Sequence, residues 1–451
     1  MRSRVRRVAA VLGRRWAGAA VRSRFGLSPA ARRRATFARA TREAFEELGP
    51  TFVKLGQLVS VRPDVFAPEL VFEMERLQDR VAPLPAARVR ETIRREFGRE
   101  PEALFATFSD EPLASASIAQ VHPATLREAY RPVFGEELPA GAEVAVKVVR
   151  PGAAECIEDD LRNLRRLTAA LARSPVGRRV DVEGLLEEFA ASLGREVDLR
   201  NEARVADRFA FDFRDDPVAF CPRVVWTRTT RRVLTMEYVR GWRLSELDDA
   251  VRAGVEGYRL ALHGAEVFMR QVLVQGRFHA DLHPANLLLT PDERIAYLDF
   301  GIVGELAPVQ RAHVAQVLLA TVYGDAERAL RYSAELGLVV PEEIGARVRE
   351  RVAALMARTL KREPADVKGF ATGFLSIMSR HGVRIPRGFG LLVKALVTVE
   401  GCSRLFYPDI DILRAAKPFA TRLVAEALLD PARLAERTPH ALRAAVRELL
   451  S

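Results

Sequence analysis

The chain has 451 residues, 49% of them hydrophobic, with a formal net charge of +11 and three cysteines. That is enough apolar material for a sizeable core in two lobes plus an extension. Cys156, Cys221 and Cys402 are isolated, which excludes a disulfide framework and a metal-finger spacing and fits a reducing compartment; no run of about 18 apolar residues occurs, so no transmembrane helix is expected.

The basic character is local. Residues 1–40 hold twelve arginines and no Asp or Glu, so the rest of the chain sums to about −1. A broad nucleic-acid-binding surface is disfavoured, and nucleic acid is not expected as a partner. Placed on a helix, Val5, Val8, Leu12, Trp16 and Ala19 share a stripe, with Arg4, Arg7, Arg14, Arg15 and Arg22 mostly opposite. Residues 1–34 therefore read either as a helix lying on an anionic membrane surface or as a solvated basic leader or transit peptide. The far end, Pro439 to Ser451, is an Arg-punctuated helical pattern with no hydrophobic tail.

Residues 35–100 predict a helical extension. Pro50 suits the first turn of a helix carrying Lys54 and Gln57, which share a face, and Gly56 between them permits close approach of another element. Residues 101–240 predict a small lobe. It opens with the loop Leu113-Ala114-Ser115-Ala116-Ser117-Ile118-Ala119-Gln120-Val121, followed by the β-branched run Val144–Val149 with Lys147 in its middle. A long helical stretch around Asp181–Asp212 carries Glu196, Asp198 and Glu202. The strand Arg232–Tyr238 then runs into Met236-Glu237-Tyr238-Val239. Residues 241–451 predict a mostly helical large lobe.

Within that lobe stands Asp281, with Asn286 five residues later and Asp299-Phe300-Gly301 thirteen residues past Asn286. Apolar runs on either side of a Thr-Pro-Asp-Glu-Arg turn read as a hairpin delivering Asp299. This order and spacing form the metal-and-base half of a protein-kinase-like phosphotransfer site. Asp281 is the candidate catalytic carboxylate, and Asn286 and Asp299 are candidate hard-oxygen ligands for Mg²⁺. Lys147 stands where a strand lysine pairs the α- and β-phosphates, and the backbone at Glu237 and Val239 where adenine is held. The loop from Leu113 to Val121 occupies the place of a Gly-rich phosphate loop. Its alanines and serines should make it stiffer. His279 and His283 are spaced as zinc ligands can be, but no third ligand accompanies them. After Gly301 the sequence enters a helical pattern from Val309 with no Ala-Pro-Glu, so the peptide platform is missing and protein phosphorylation in trans is not expected. Arginine has displaced lysine almost everywhere, yet two of the six lysines, Lys54 and Lys147, sit inside these motifs.

On these residues the chain resembles the UbiB/ADCK family of atypical kinase-like proteins associated with ubiquinone biosynthesis and lipid homeostasis. The likeness runs from about Leu48 to about Pro408. It includes Lys54-Leu55-Gly56-Gln57 as the family's Lys-x-Gly-Gln signature, Arg62-Pro63-Asp64, Leu77-Gln78-Asp79, the Ala-rich loop, Lys147, Glu196-Val197-Asp198, Glu202 and the Asp281/Asn286/Asp299 set. Leu282 and Ala285 depart from the usual Pro and Gly, and neither departure removes a ligand. The resemblance implies an α+β, kinase-like two-lobed fold with an N-terminal helical extension, and ATP and Mg²⁺ as cofactors. It implies a catalytic set of Asp281, Lys147, Lys54 and Gln57. It also implies Glu202 as the partner of Lys147, with Glu196 and Asp198 facing the extension or the metal. A quinone precursor or lipid is the partner it suggests, and a cytoplasmic location, at most peripheral on the inner face of a membrane. Two functions follow from it. One is an atypical kinase or ATPase, and the other is a pseudokinase-like nucleotide-binding module that stabilises a biosynthetic complex.

Overall fold

The computed structural model describes residues 2–24, 30–60, 66–77, 82–172, 182–247 and 254–429; Arg62-Pro63-Asp64, Gln78-Asp79 and the stretch from Pro439 lie outside them. The chain divides into two units, Met1–Trp242 with Leu288–Gly301, and Arg243–Leu287 with Ile302–Ser451.

The first unit opens with three helices, α1 (Arg2–Arg24), α2 (Ala30–Leu48) and α3 (Pro50–Ser60). Val8 and Val11 of α1 are buried against Ala44, Leu48 and Phe52, with Leu12 packed beside them. The apolar stripe that reads as a membrane-facing surface is therefore largely used inside the protein. The Trp16 indole N–H donates to Thr41 Oγ1 at 3.0 Å. The arginines of α1 find acids: Arg15 pairs with Glu43 and Glu47 on α2, both at 2.9 Å. Arg4 donates to both oxygens of Asp160 at 2.8 and 2.7 Å and to the Leu48 carbonyl at 2.9 Å. Asp160 is buried on α7 (Ala153–Ala172). The acids that pair with Arg4 and Arg15 lie beyond residue 40, so residues 1–40 taken alone look unopposed. A β-carbon on Gly56 of α3 would collide with Leu77 and with Met74 of α4 (Pro68–Glu75), so glycine is what lets α3 close on its neighbour.

An antiparallel sheet follows, of β1 (Phe105–Phe108), β2 (Ala114–Ser115), β3 (Ala119–Leu126), β4 (Glu143–Val149) and, beyond the short β5 (Ala219–Phe220), β6 (Val233–Glu237). Its order is β1-β3-β4-β6, with β2 paired to β3. Val144, Val146 and Val148 enter a core with Val89 and Ile93 of α5 (Ala86–Phe97) and with Leu104 of α6 (Pro101–Leu104). Each such burial contributes roughly 1.5–3 kcal/mol. Side chains alternate along a strand, so filling that core sends Lys147 to the opposite face, where its backbone lies between Val121 and Leu234.

The expected continuous helical stretch is two helices, α8 (Val182–Glu196) and α9 (Leu199–Asp212). Asp198 sits in extended backbone between them and its carboxylate accepts from the Arg200 N–H, capping α9. A short Asp competes well for exposed helix N–H groups, which is why the helix stops there. Asp198 also pairs with Arg200 at 2.6 Å, so its carboxylate serves the cap. A second small sheet runs β5-β10-β9-β7, made with β7 (Trp242–Arg243), β9 (Leu287–Leu289) and β10 (Ile295–Tyr297). This hairpin delivers Asp299. Phe300 beside it packs on Phe209 of α9, ring centroids 5.2 Å apart, which keeps Leu288–Gly301 with the first unit.

The second unit begins with α10 (Gly257–Arg270) and a π-helical turn over Gln271–Gln275 that ends in left-handed Gly276. Next come β8 (Arg277–His279) and β11 (Val303–Glu305), antiparallel, with His279 opposite Val303. A β-carbon on Gly304 would strike the Phe278 ring. Then α11 (Pro308–Tyr323), α12 (Ala326–Glu335), α13 (Glu342–Thr359), α14 (Val367–Arg380), α15 (Arg387–Phe406) and α16 (Ile412–Leu429) follow. Val348, Val352, Met356, Phe374 and Met378 centre their core. α11 starts at Pro308, close after β11. Among the described residues no helix is long and apolar enough to cross a membrane.

Removing Arg4 strands a buried carboxylate. Arg4→Met should cost about 3 kcal/mol of stability in urea denaturation, whereas exposed Arg6→Ala should change it by less than about 0.5 kcal/mol. Equal effects would mean that α1 is not docked through Asp160.

Candidate active site

In the first unit Lys147 and Glu202 form a two-oxygen ion pair, Nζ lying 2.7 and 2.8 Å from the carboxylate oxygens. Burial alone would drag the Lys147 ammonium down, but Glu202 and then Asp299 outweigh it and hold it above its ordinary value. Burial pushes the Glu202 carboxyl up, with Asp299 adding to that push, while Lys147 opposes it. The ammonium is the firmer of the two ions, since two carboxylates serve it. One helix away, Lys54 on α3 lies 2.8 Å from Glu196 at the end of α8. Gln57 sits on the same face of α3 as Lys54, partly buried. Lys54 and Lys147 thus stand near three carboxylates, Glu196, Glu202 and Asp299. Asp299 Oδ1 accepts the Gly301 N–H at 2.8 Å, which sets the carboxylate's orientation.

The Ala-rich loop is a clamped turn. The Ala116 N–H donates to the Ala119 carbonyl at 2.9 Å, and Leu113 N–H to Val121 at 2.8 Å. Arg150 holds it from below, donating to the Ala116 carbonyl at 2.8 Å, to Ser115 Oγ at 2.5 Å and to the Ala82 carbonyl at 3.0 Å. Ala114 lies on the edge strand opposite Val121; Ser117, Ile118 and Ala119 are buried. Gln120 is wholly buried, accepting from the Leu84 N–H at 2.9 Å and meeting His122 Nε2 at 3.1 Å, so its side chain has a structural task. At the end of β6 the Glu237 carboxylate is spent on Arg223, at 2.6 and 2.8 Å. The Glu237 N–H in turn donates to the Arg223 carbonyl at 2.8 Å.

In the second unit Asp281 and Asn286 share one loop, the Asn286 amide donating to the Asp281 carbonyl at 3.4 Å. His279 Nδ1 accepts the Asp281 N–H and His283 Nδ1 the Ala285 N–H, each at 3.2 Å. Both histidines are loop-shaping groups, and among the described residues no three His, Cys, Asp or Glu gather as a preformed metal centre. Lys394 of α15 reaches this loop, its Nζ 2.8 Å from Asp281 Oδ1.

Residues 76–333 match the model of the ABC1 atypical kinase-like domain, and residues 367–411 match the UbiB helical domain. The chain belongs to the ABC1/UbiB family of atypical kinase-like proteins. It is 35% identical over 388 residues to a probable protein kinase UbiB of Marinobacter nauticus, covering 84% of this chain and 68% of that one. It is 34% identical over 386 residues to ACTIVITY OF BC1 COMPLEX KINASE 7, chloroplastic, of Arabidopsis thaliana, covering 85% of this chain. The alignment spans about half of that plant protein, 54%. A Mycobacterium tuberculosis protein solved with erythromycin shares the fold, with TM-score 0.53 and 23% identity over 84% of this chain and 93% of that one. The ABC1 match covers the Ala-rich loop, Lys147, Glu202, Asp281, Asn286 and Asp299; the UbiB helical match covers Lys394.

Sequence reasoning missed Arg150 and Lys394. Arg150 closes the Lys147 strand run, where a terminal arginine reads as solvated. Lys394 is 113 residues from its partner, and only the scarcity of lysine could have flagged it.

Two measurements test this half-site. Lys147→Met should cost about 3 kcal/mol by leaving Glu202 beside Asp299 unpaired, and adding Glu202→Leu should restore much of the loss; additive losses would show that the two do not act as a pair. Because the folded ammonium titrates above its unfolded value, its contribution is complete below about pH 10.4 and fades only as pH rises through the folded value. Arg150→Met should free the Ala-rich loop and change the ATP-to-ADP affinity ratio in calorimetry; an unchanged ratio would exclude the clamp from phosphate contact.

Proposed function

We propose that the chain is a Mg²⁺-dependent ATPase or small-molecule kinase serving isoprenoid-quinone or lipid metabolism, and not a protein kinase in trans. The observation that carries this is the Lys147–Glu202 ion pair beside Asp299, since a nucleotide's phosphates need a fixed ammonium and its metal a hard carboxylate. Asp299 offers an oxygen of the kind Mg²⁺ takes, and the sequence spacing of Asp281, Asn286 and Asp299 makes Asn286 its expected companion ligand. Bound Mg²⁺ would supply positive charge that neutralises the phosphates, with Asp299 and Asn286 the residues that would hold it. Lys147 binds the α- and β-phosphates, and backbone at Glu237 and Val239 holds the base. The clamped Ala116–Ala119 turn limits how far loop N–H groups reach toward phosphate. Asp281 orients the acceptor hydroxyl or water and takes its proton.

The name of the Marinobacter relative supports the kinase class, and the quinone or lipid link comes to this chain from the family resemblance. The short span from β11 to α11 supports a small acceptor over a peptide. The clamped loop favours a second reading, a nucleotide-binding regulatory module with little turnover. ATP turnover, with and without anionic liposomes and a phenolic quinone precursor, separates the two. Asp299→Asn should abolish the Mg²⁺-dependent part of the thermal shift given by ATP. Asp281→Asn should keep that shift while turnover falls by about 10²-fold or more. An unchanged Mg²⁺-ATP shift in Asp299→Asn would remove Asp299 as a ligand.

A further inference from the structure

The loop from His279 to Asn286 contains no cation of its own. Its two histidines present unprotonated Nδ1 atoms to the Asp281 and Ala285 N–H groups. The positive charge beside Asp281 comes from Lys394, whose Nζ lies 2.8 Å from Oδ1. A second tie joins the same two elements. Cys402, roughly two helical turns further along α15 and so near the same face, donates its S–H to the Leu282 carbonyl at 3.1 Å. Burial pushes the Cys402 thiol up to about 12, so it stays a donor. α15 therefore grips the loop at adjacent residues, by charge at Asp281 and by a thiol hydrogen bond at Leu282. Val399 between them is buried and Ala395 has no exposure, which anchors the helix. Neither Asp281 nor Lys394 is buried, with side-chain exposures of 39% and 28%, so the pair is open to a reacting group.

We propose that Lys394 is a positioning residue for phosphoryl transfer, resting on the reading of Asp281 as the catalytic carboxylate. Its ammonium fixes one carboxylate oxygen, so the other faces the acceptor hydroxyl or water. A lysine suits this task because its single ammonium can hold one oxygen without occupying both, as a two-pronged guanidinium would.

The test uses the full chain with Mg-ATP. Lys394→Met should lower kcat by about 10–100-fold with the KM for Mg-ATP within about threefold and the melting temperature kept. Lys394→Arg, which retains charge, should recover part of the loss. Adding Lys394→Met to Asp281→Asn should cost nothing further. An unchanged kcat, a rise in KM alone, or a full extra loss in the Asp281→Asn background would each overturn the proposal. If Lys394→Met melts early, the Arg variant decides, since it keeps the bulk and the charge. With only six lysines in the chain, reductive ¹³C-methylation gives a readout independent of turnover. The Lys394 methyl resonance, identified by its loss in Lys394→Arg, should shift in Asp281→Asn while those of Lys361, Lys368 and Lys417 stay put. No shift would refute the pair itself. A wild-type chain without turnover, or an Asp281→Asn variant with full turnover, would sink the phosphotransfer reading and the positioning role with it, while the resonance would still report the pair.

Discussion

A largely buried ammonium gripped by Glu202, with Asp299 near, is the constraint around which the first unit is arranged. Removing Lys147 from solvent costs several kcal/mol, and only the two-oxygen grip of Glu202, with Asp299 near, offsets it. That requirement reaches back into the backbone. On one continuous helix Glu196 and Glu202 would point roughly 120° apart, and both could not face the lysines of two different elements. The Asp198 cap breaks the helix, so α8 ends by turning Glu196 to Lys54 while α9 starts afresh and turns Glu202 to Lys147. The same helix carries Phe209, two turns on, whose contact with Phe300 sets the residue next to Asp299. One capping aspartate thus orders three carboxylates.

Those parts of the site governed by short-range rules were legible in the sequence. A lone lysine in a β-branched run must sit on one side of a strand, and the valines around it fix which side. The Asp281, Asn286 and Asp299 spacing is a loop-and-hairpin distance that survives without any tertiary knowledge, and Gly56 announced a close helix contact that Leu77 and Met74 supply. What could not be read was the fate of groups whose partners are remote. Lys394 meets Asp281 across more than a hundred residues. Arg150 looked like the end of a strand and is a clamp on a loop more than thirty residues earlier. The resemblance turns Asp198 toward the extension or the metal and says nothing of the cap that its carboxylate forms on the Arg200 N–H.

The basic leader shows the same limit in apolar form. A helical stripe of valine and leucine beside arginines is equally good for a lipid interface and for a protein groove, and periodicity cannot choose. α2 and α3 provide the groove, and each buried valine would forfeit roughly 1.5–3 kcal/mol on leaving it. Any contact of residues 1–34 with anionic lipid would therefore use the outward arginines, such as Arg6 and Arg14, and the half-exposed Trp16, and leave Val8 and Val11 where they are.

The distribution of arginine and lysine follows from what each pair has to do. Arg4 with Asp160 and Arg223 with Glu237 are two-pronged contacts that saturate a carboxylate and lock distant segments, a task for a planar fork that never needs to let go. Lys54, Lys147 and Lys394 meet Glu196, Glu202 and Asp281 through a single ammonium each. An ammonium gives three donors that rotate freely, so it can hold a carboxylate and still turn a donor toward an incoming oxygen. In a chain that uses arginine for nearly every other positive charge, lysine at these three ion pairs gives each carboxylate a rotatable donor in place of a planar fork.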